Sequence, residues 1–124
     1  MATTKSTPLV MANDVTLTAS AGDQTFTLSG TVPDLVDGYG AKVLIKITNG
    51  GTGPTLPADV TIERSFDNSN WYADGALVGD SVNSSVTSWQ IPLDIEDKYI
   101  RVLAGGNTGQ DVTCRVEIAE VSRI

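Results

Sequence analysis

The chain has 124 residues, about the modal size of one domain, which suffices for a single two-layer core and argues against a second. Eight basic residues against fifteen acidic ones give a net charge of −7, and the basic ones (Lys5, Lys42, Lys46, Arg64, Lys98, Arg101, Arg115, Arg123) are scattered singly. Binding a polyphosphate requires clustered cations, so this balance argues against DNA, RNA or an anionic membrane as partner.

Thr, Ser, Val, Gly, Asp and Asn are abundant and no segment keeps a helical period, which predicts strands and turns. Residues 1–13 read as an N-terminal arm. Thr, Ser and Pro dominate there, and Leu9-Val10-Met11 is too short to build a core element, so the segment either frays or orders by docking those three residues on a partner. Residues 14–124 read as one domain. Asp14 to Ser20 alternates with Val15 and Leu17 on one face, Ala21-Gly22-Asp23 turns, and Gln24 to Ser29 returns with Phe26 and Leu28, a predicted hairpin. The loop Gly30 to Gly40 is expected to be pinned by Leu35-Val36 and to hold at most a short helical turn. Lys42 to Thr48 is a strong strand with Val43, Ile45 and Ile47 on one side. A glycine-rich loop, Asn49-Gly50-Gly51-Thr52-Gly53-Pro54, leads to the strand around Val60 and Ile62. Asp67-Asn68-Ser69-Asn70 supplies a tight turn, and Trp71-Tyr72 opens the return strand, interrupted by a turn or bulge signal at Asp74-Gly75. Val86 to Leu93, Tyr99 to Ala104 and Asp111 to Val121 complete the set, separated by Asp94-Ile95-Glu96-Asp97 and by Gly105 to Gln110. About eight short strands with turn signals between them predict an antiparallel β-sandwich, Ig-like or jelly-roll-like, or a small barrel.

Lys42 to Ile62 and Lys98 to Cys114 echo one another as strand, glycine loop and strand opening on Asp-Val-Thr, which predicts two equivalent hairpins with their loops at one end. Trp89 alternates with Ile91 and Leu93 and is expected in the core, whereas of Trp71 and Tyr72 one faces in and the other out.

Chemistry is hard to place in this chain. There is no histidine, which removes Ser-His-Asp and Cys-His machinery and the commonest metal ligand. The carboxylate pairs Asp34/Asp37 and Glu96/Asp97 lack the aromatic surroundings of a sugar-cleaving cleft. Asp67-Asn68-Ser69-Asn70 has neither the central glycine nor the distal Glu of a calcium loop, and neither glycine loop opens a helix as a phosphate cradle does. The expectation is a non-enzyme with no cofactor and no metal. The single cysteine, Cys114, alternates with Val112, Val116 and Ile118 and reads as a small buried apolar residue; with no disulfide possible within the chain, assembly in a reducing compartment is expected. The first residues carry no apolar signal core, and no apolar run approaches a membrane span.

The runs Asn49-Gly50-Gly51-Thr52-Gly53-Pro54, Asp59-Val60-Thr61-Ile62 and Ser65 to Tyr72, with Tyr99-Ile100-Arg101-Val102 and Gly105 to Gly109, resemble small structural proteins of tailed bacteriophages over residues 41–121. Among these, an acidic β-domain with a short arm most resembles a capsid decoration (cement) protein. The resemblance implies a virion protein, made in the host cytoplasm, that binds the major capsid protein on the outside of the head, as a homo-oligomer with a trimer favoured. Its partner contacts would be the arm, with Thr3, Thr4, Leu9, Val10 and Met11. The alternative is a tail- or fibre-associated sandwich that binds a host receptor or a tail protein, with Tyr72 as a contact. An Ig-like adhesion module is a third reading.

Overall fold

In the computed structural model, residues 3–5, 9–27, 38–67, 69–93 and 99–123 are described. Their secondary structure is β only: β1 (Thr3–Lys5), β2 (Leu9–Leu17), β3 (Gln24–Thr27), β4 (Gly38–Asn49), β5 (Asp59–Ser65), β6 (Tyr72–Val78), β7 (Val86–Leu93), β8 (Tyr99–Gly105) and β9 (Val112–Arg123). The predicted helical turn and the Leu35-Val36 pin lie outside the described residues, as do the carboxylate pairs Asp34/Asp37 and Glu96/Asp97.

The strands form two antiparallel sheets. The first runs β1-β9-β4-β7, with β2 also on β9; the second runs β3-β8-β5-β6. The connections β2–β3, β4–β5, β6–β7 and β8–β9 all cross between sheets, while β5–β6 is a hairpin within one sheet. Eight strands, β2 to β9, ordered 2-9-4-7 and 3-8-5-6 make a jelly-roll sandwich.

Period-two patterning builds the core. Val43, Ile45 and Ile47 of β4 lie beside Ile118, Val116 and Cys114 of β9, all at most 2% exposed. From the facing sheet, Val60 and Ile62 of β5 lie beside Ala104 and Val102 of β8. Each large aliphatic side chain removed from water in this way contributes about 1.5–3 kcal/mol. Trp89 and Ile91 pack against this cluster from β7, on the inward side as their alternation predicts.

Three expectations differ from the structure. The segment 14–29 is not a hairpin, because β2 pairs with β9 and β3 with β8, in different sheets. The echoing units around the glycine loops are likewise crossings rather than hairpins. Their loops do lie at one end of the sandwich, together with the β2–β3 and β6–β7 connections. Two buried asparagines lock that end. Asn49 Nδ2 donates to Asp80 O (2.9 Å), Asp80 Oδ1 (3.0 Å) and Val82 O (2.9 Å), and Asn107 Nδ2 donates to Leu17 O and Gln110 O, both 3.0 Å. Gly53 lies against Ser81 so closely that a Cβ would meet its carbonyl oxygen, which explains a glycine where the two loops cross.

The third difference concerns the N-terminal segment. Within residues 1–13, Thr3–Lys5 pairs with Val121 to Arg123, and Leu9 onward pairs with β9 as an edge strand of the first sheet. Two register shifts interrupt that strand, between Val10 and Ala12 and between Ala12 and Val15. At the second, Asn13 and Asp14 sit opposite Arg115, with Asp14 at φ 49°. Arg115 Nη1 donates to Asn13 Oδ1 (2.6 Å) and Asp14 Oδ2 (3.3 Å), and Asp is among the few residues that tolerate the left-handed region.

Candidate functional site

The β5–β6 hairpin ends at the opposite pole from the locked loops, in a hydrogen-bonded polar turn flanked by two exposed aromatic side chains. Asp67 organises it. Its carboxylate accepts from the backbone N–H of Ser69 (2.9 Å) and Asn70 (2.8 Å), from Asn70 Nδ2 (2.6 Å) and from Ser65 Oγ (3.0 Å). Those bonds, chiefly from the backbone N–H of Asn70 and Ser69, hold its carboxyl well below the usual carboxylate range. Its oxygens are thus engaged in the turn, and among the described residues no group of three or more acidic or thiol side chains is placed to hold a metal.

On either side of this turn stand Phe66 and Tyr72, 59% and 62% exposed. An aromatic ring exposes much apolar surface at low conformational cost, and here two flank a hydrogen-bonded turn. Next to them, Trp71 lies on the guanidinium of Arg101, 4.2 Å from its ring centroid, while Arg101 Nε donates to Glu63 Oε1 at 2.8 Å. This row ties the tip to β5 and β8. The Ala73/Ala76 pairings to Glu63 and Thr61 leave Asp74 and Gly75 facing a single residue, a bulge with Gly75 at φ 110°.

A second feature is a groove of about 280 Å³ on the outer face of the first sheet, lined by Leu44, Lys46, Ser88, Gln90, Arg115 and Glu117. Arg115 is committed there, since its Nη2 donates to Glu117 Oε1 at 2.7 Å, and that bond raises its pKa. Lys46, Ser88 and Gln90 remain to donate to a ligand, with Leu44 as an apolar floor.

The residues expected to bind a partner do not converge. Thr3 and Thr4 pair with Arg123 and Ser122, and Leu9 with Ile118. Val10 is exposed on β2 opposite Glu117, while Met11 packs against the core. Tyr72 belongs to the other sheet, at its far edge. Phe66 is not among those expected contacts; its exposure follows from its place immediately after β5, at the first residue of an Asp-anchored turn. Cys114 is fully buried, and burial pushes its thiol pKa up to about 11, so it stays protonated at neutral pH.

No family model matches the sequence, and neither does any curated protein. Among solved structures, the fold is similar to a family 16 carbohydrate-binding module (TM-score 0.52, 9% identity, 83% of this chain and 73% of that one). It is similar also to the subunit of Bacillus endospore appendages, described as disulfide-linked pili (TM-score 0.51, 13% identity, 98% and 89%). A third likeness is to infectious bursal disease virus, Gx strain (TM-score 0.50, 13% identity, 97% of this chain and 32% of that one). At these identities the likeness is one of fold, a β-sandwich of the kind found in binding and structural proteins.

Proposed function

We propose that the protein is a virion structural protein that seats on the outer surface of a tailed-phage head and stabilises it, with the major capsid protein as its partner. The observation that carries this reading is the hydrogen-bonded hairpin tip with Phe66 and Tyr72 presented on an acidic β-sandwich; the sequence resemblance supplies the phage context. A contact of this kind stabilises by mass action alone, since each bound copy favours the assembled head over its separated subunits. The test is binding to purified heads, read as copies bound and as the rise in head melting temperature. The wild-type chain is expected to bind and raise it, and Phe66→Ala with Tyr72→Ala to bind at least about tenfold more weakly, as expected on losing anchor residues. No binding by the wild type, or full binding by the double variant, overturns the proposal.

A second reading, a tail- or fibre-associated module that binds a host glycan, is favoured by the groove on the first sheet. Its polar rim and apolar floor suit a sugar ring. Retention on a glycan array, lost in Lys46→Ala with Gln90→Ala and kept in the tip variant, would select this reading over the first.

A further inference from the structure

The side of the sandwich formed by β6 and β7 carries a contact surface that the tip does not explain. Both are edge strands: β7 pairs only with β4, and β6 only with β5, among the described residues. Edge strands leave backbone N–H and C=O groups open to another chain, and soluble proteins usually blunt them with charge. On β6 it is present as Asp74 and the bulge at Asp74-Gly75, but β7, Val86–Leu93, has no charged side chain and only Pro92 to blunt it. Residues 75–93 contain one charged side chain, Asp80, in a chain with 23 charged residues. That carboxylate is spent internally on Asn49 Nδ2, on Ser85 Oγ (2.7 Å) and on the N–H of Val82 (3.1 Å). The same stretch concentrates exposed apolar side chains: Val78, Val82 and Val86 are each 58% exposed or more. Between the two edges opens a cleft of about 130 Å³, lined by Ile62, Ala76, Leu77 and Ile91 with Arg64 at its wall. Cavities of about 150 Å³ accept a benzene ring, so this one takes a branched aliphatic side chain.

We infer that this side is the contact between two copies of the chain, joined about a two-fold axis with β7 edge to edge. Charge selects the occupant. A second copy also carries −7, so it docks where it brings few carboxylates together, and the edge of β7, uncharged from Val86 to Leu93, is such a strip. Shape agrees with it, because projecting valines and a receiving cleft lie on the same patch, so each contact is made twice under a two-fold. Pro92 lacks an N–H and limits the added ladder to the Val86 half of β7.

The test is sedimentation equilibrium of the full chain, without any capsid or glycan, and so independent of what the tip binds. Three proteins are compared: wild type, Val82→Glu with Val86→Glu, and Thr25→Glu on β3, exposed on the opposite side. Expected is a wild-type dimer with a Kd at or below about 100 µM, as suits a small interface, weakened at least about tenfold in the valine variant and unchanged in the Thr25 variant. Circular dichroism and melting temperature of the valine variant should match the wild type, since both sites are exposed. A wild type that stays monomeric at about 100 µM, or a dimer that survives the valine changes, overturns the inference.

Discussion

Replacing Asn49 tests whether buried amide side chains, rather than the glycine loops themselves, hold the loop end together. In Asn49→Ala the oxygens of Asp80 and Val82 lose the two N–H groups of one Nδ2, one of them shared between acceptors, in a position 5% exposed. At about 0.5–1.5 kcal/mol net per bond, the loss is about 1–3 kcal/mol. With an unfolding entropy of about 2.1 cal/mol/K per residue, this lowers the melting temperature by about 4–12 °C. Asn107→Ala provides the internal comparison. Asn107 is more deeply buried and also donates both N–H groups, but its Oδ1 has no hydrogen-bond partner among the described residues. Removing an unsatisfied acceptor returns part of the cost, so this variant should lose only about 0–2 kcal/mol. Asn49→Asp sets a carboxylate against the oxygens of Asp80 and Val82; it should be at least as destabilising as alanine at pH 7 and recover on acidification, as the new carboxyl protonates. Urea unfolding followed by tryptophan fluorescence reads all three. If Asn107→Ala costs as much as Asn49→Ala, or Asn49→Ala costs less than about 0.5 kcal/mol, the reasoning fails.

Cys114 should resist a thiol reagent in the native state and react fully in urea; modification at the rate of a free thiol would contradict its burial. The Asp59 carboxyl pKa is raised from its ordinary 3.8, first by burial and then by the charge of Asp23. The folded chain therefore holds that proton more tightly than the unfolded chain, and this group's contribution to stability falls as pH rises through the shifted value. Asp59→Asn should consequently melt higher than wild type at pH 7, with the gap closing as pH drops towards 4; a gap that widens on acidification would reverse the sign. Arg101→Ala removes both the cation over Trp71 and the ion pair to Glu63, each worth about 0.5–1 kcal/mol at a part-exposed site. It should also shift tryptophan emission to the red, and unchanged emission would argue against the stack.

The sandwich was legible because its core strands are regular. Val43-Ile45-Ile47 and Val112-Cys114-Val116-Ile118 alternate without interruption, and period two has one physical reading when a single face is buried. What could not be read is where partners lie. A hairpin and a sheet-to-sheet crossing share the same pattern of strand, glycine and strand; the difference lies in long-range pairing, such as Phe26 with Val102 rather than with β2. The N-terminal segment hid for another reason. Bulges at Met11 and at Asn13-Asp14 break the alternation, so a strand paired with β9 looked like an irregular arm. Of the candidate site, the turn and Tyr72 were visible in Asp67 to Tyr72. Phe66 was not, because alternation along β5 does not foretell that the chain leaves the sheet at Ser65.

The resemblance favoured a trimer, and the surface distribution argues for a two-fold pair. A three-fold contact is heterologous and needs a second, complementary patch on each copy. On the opposite side, formed by β2 and β3, Val10 is the one exposed large hydrophobic side chain among the described residues. A pair joined through the Val86 half of β7 has antiparallel edges, so its two hairpin tips point in opposite directions. Tyr72 and Val78 are separated by the length of β6, about 20 Å at 3.3 Å per residue, which puts the tips of a pair about 40 Å apart or more. Lying along a flat surface, such a pair reaches two neighbouring subunits with one aromatic tip each, and the second contact gains from effective concentration rather than from new chemistry. The two surfaces should then separate by mutation. The Val82→Glu, Val86→Glu chain should bind an isolated capsid subunit as well as wild type yet stabilise an assembled head less, whereas the Phe66→Ala, Tyr72→Ala chain should fail with both. Equal head stabilisation by the monomeric variant would show that a single tip does the work and that pairing serves some other end.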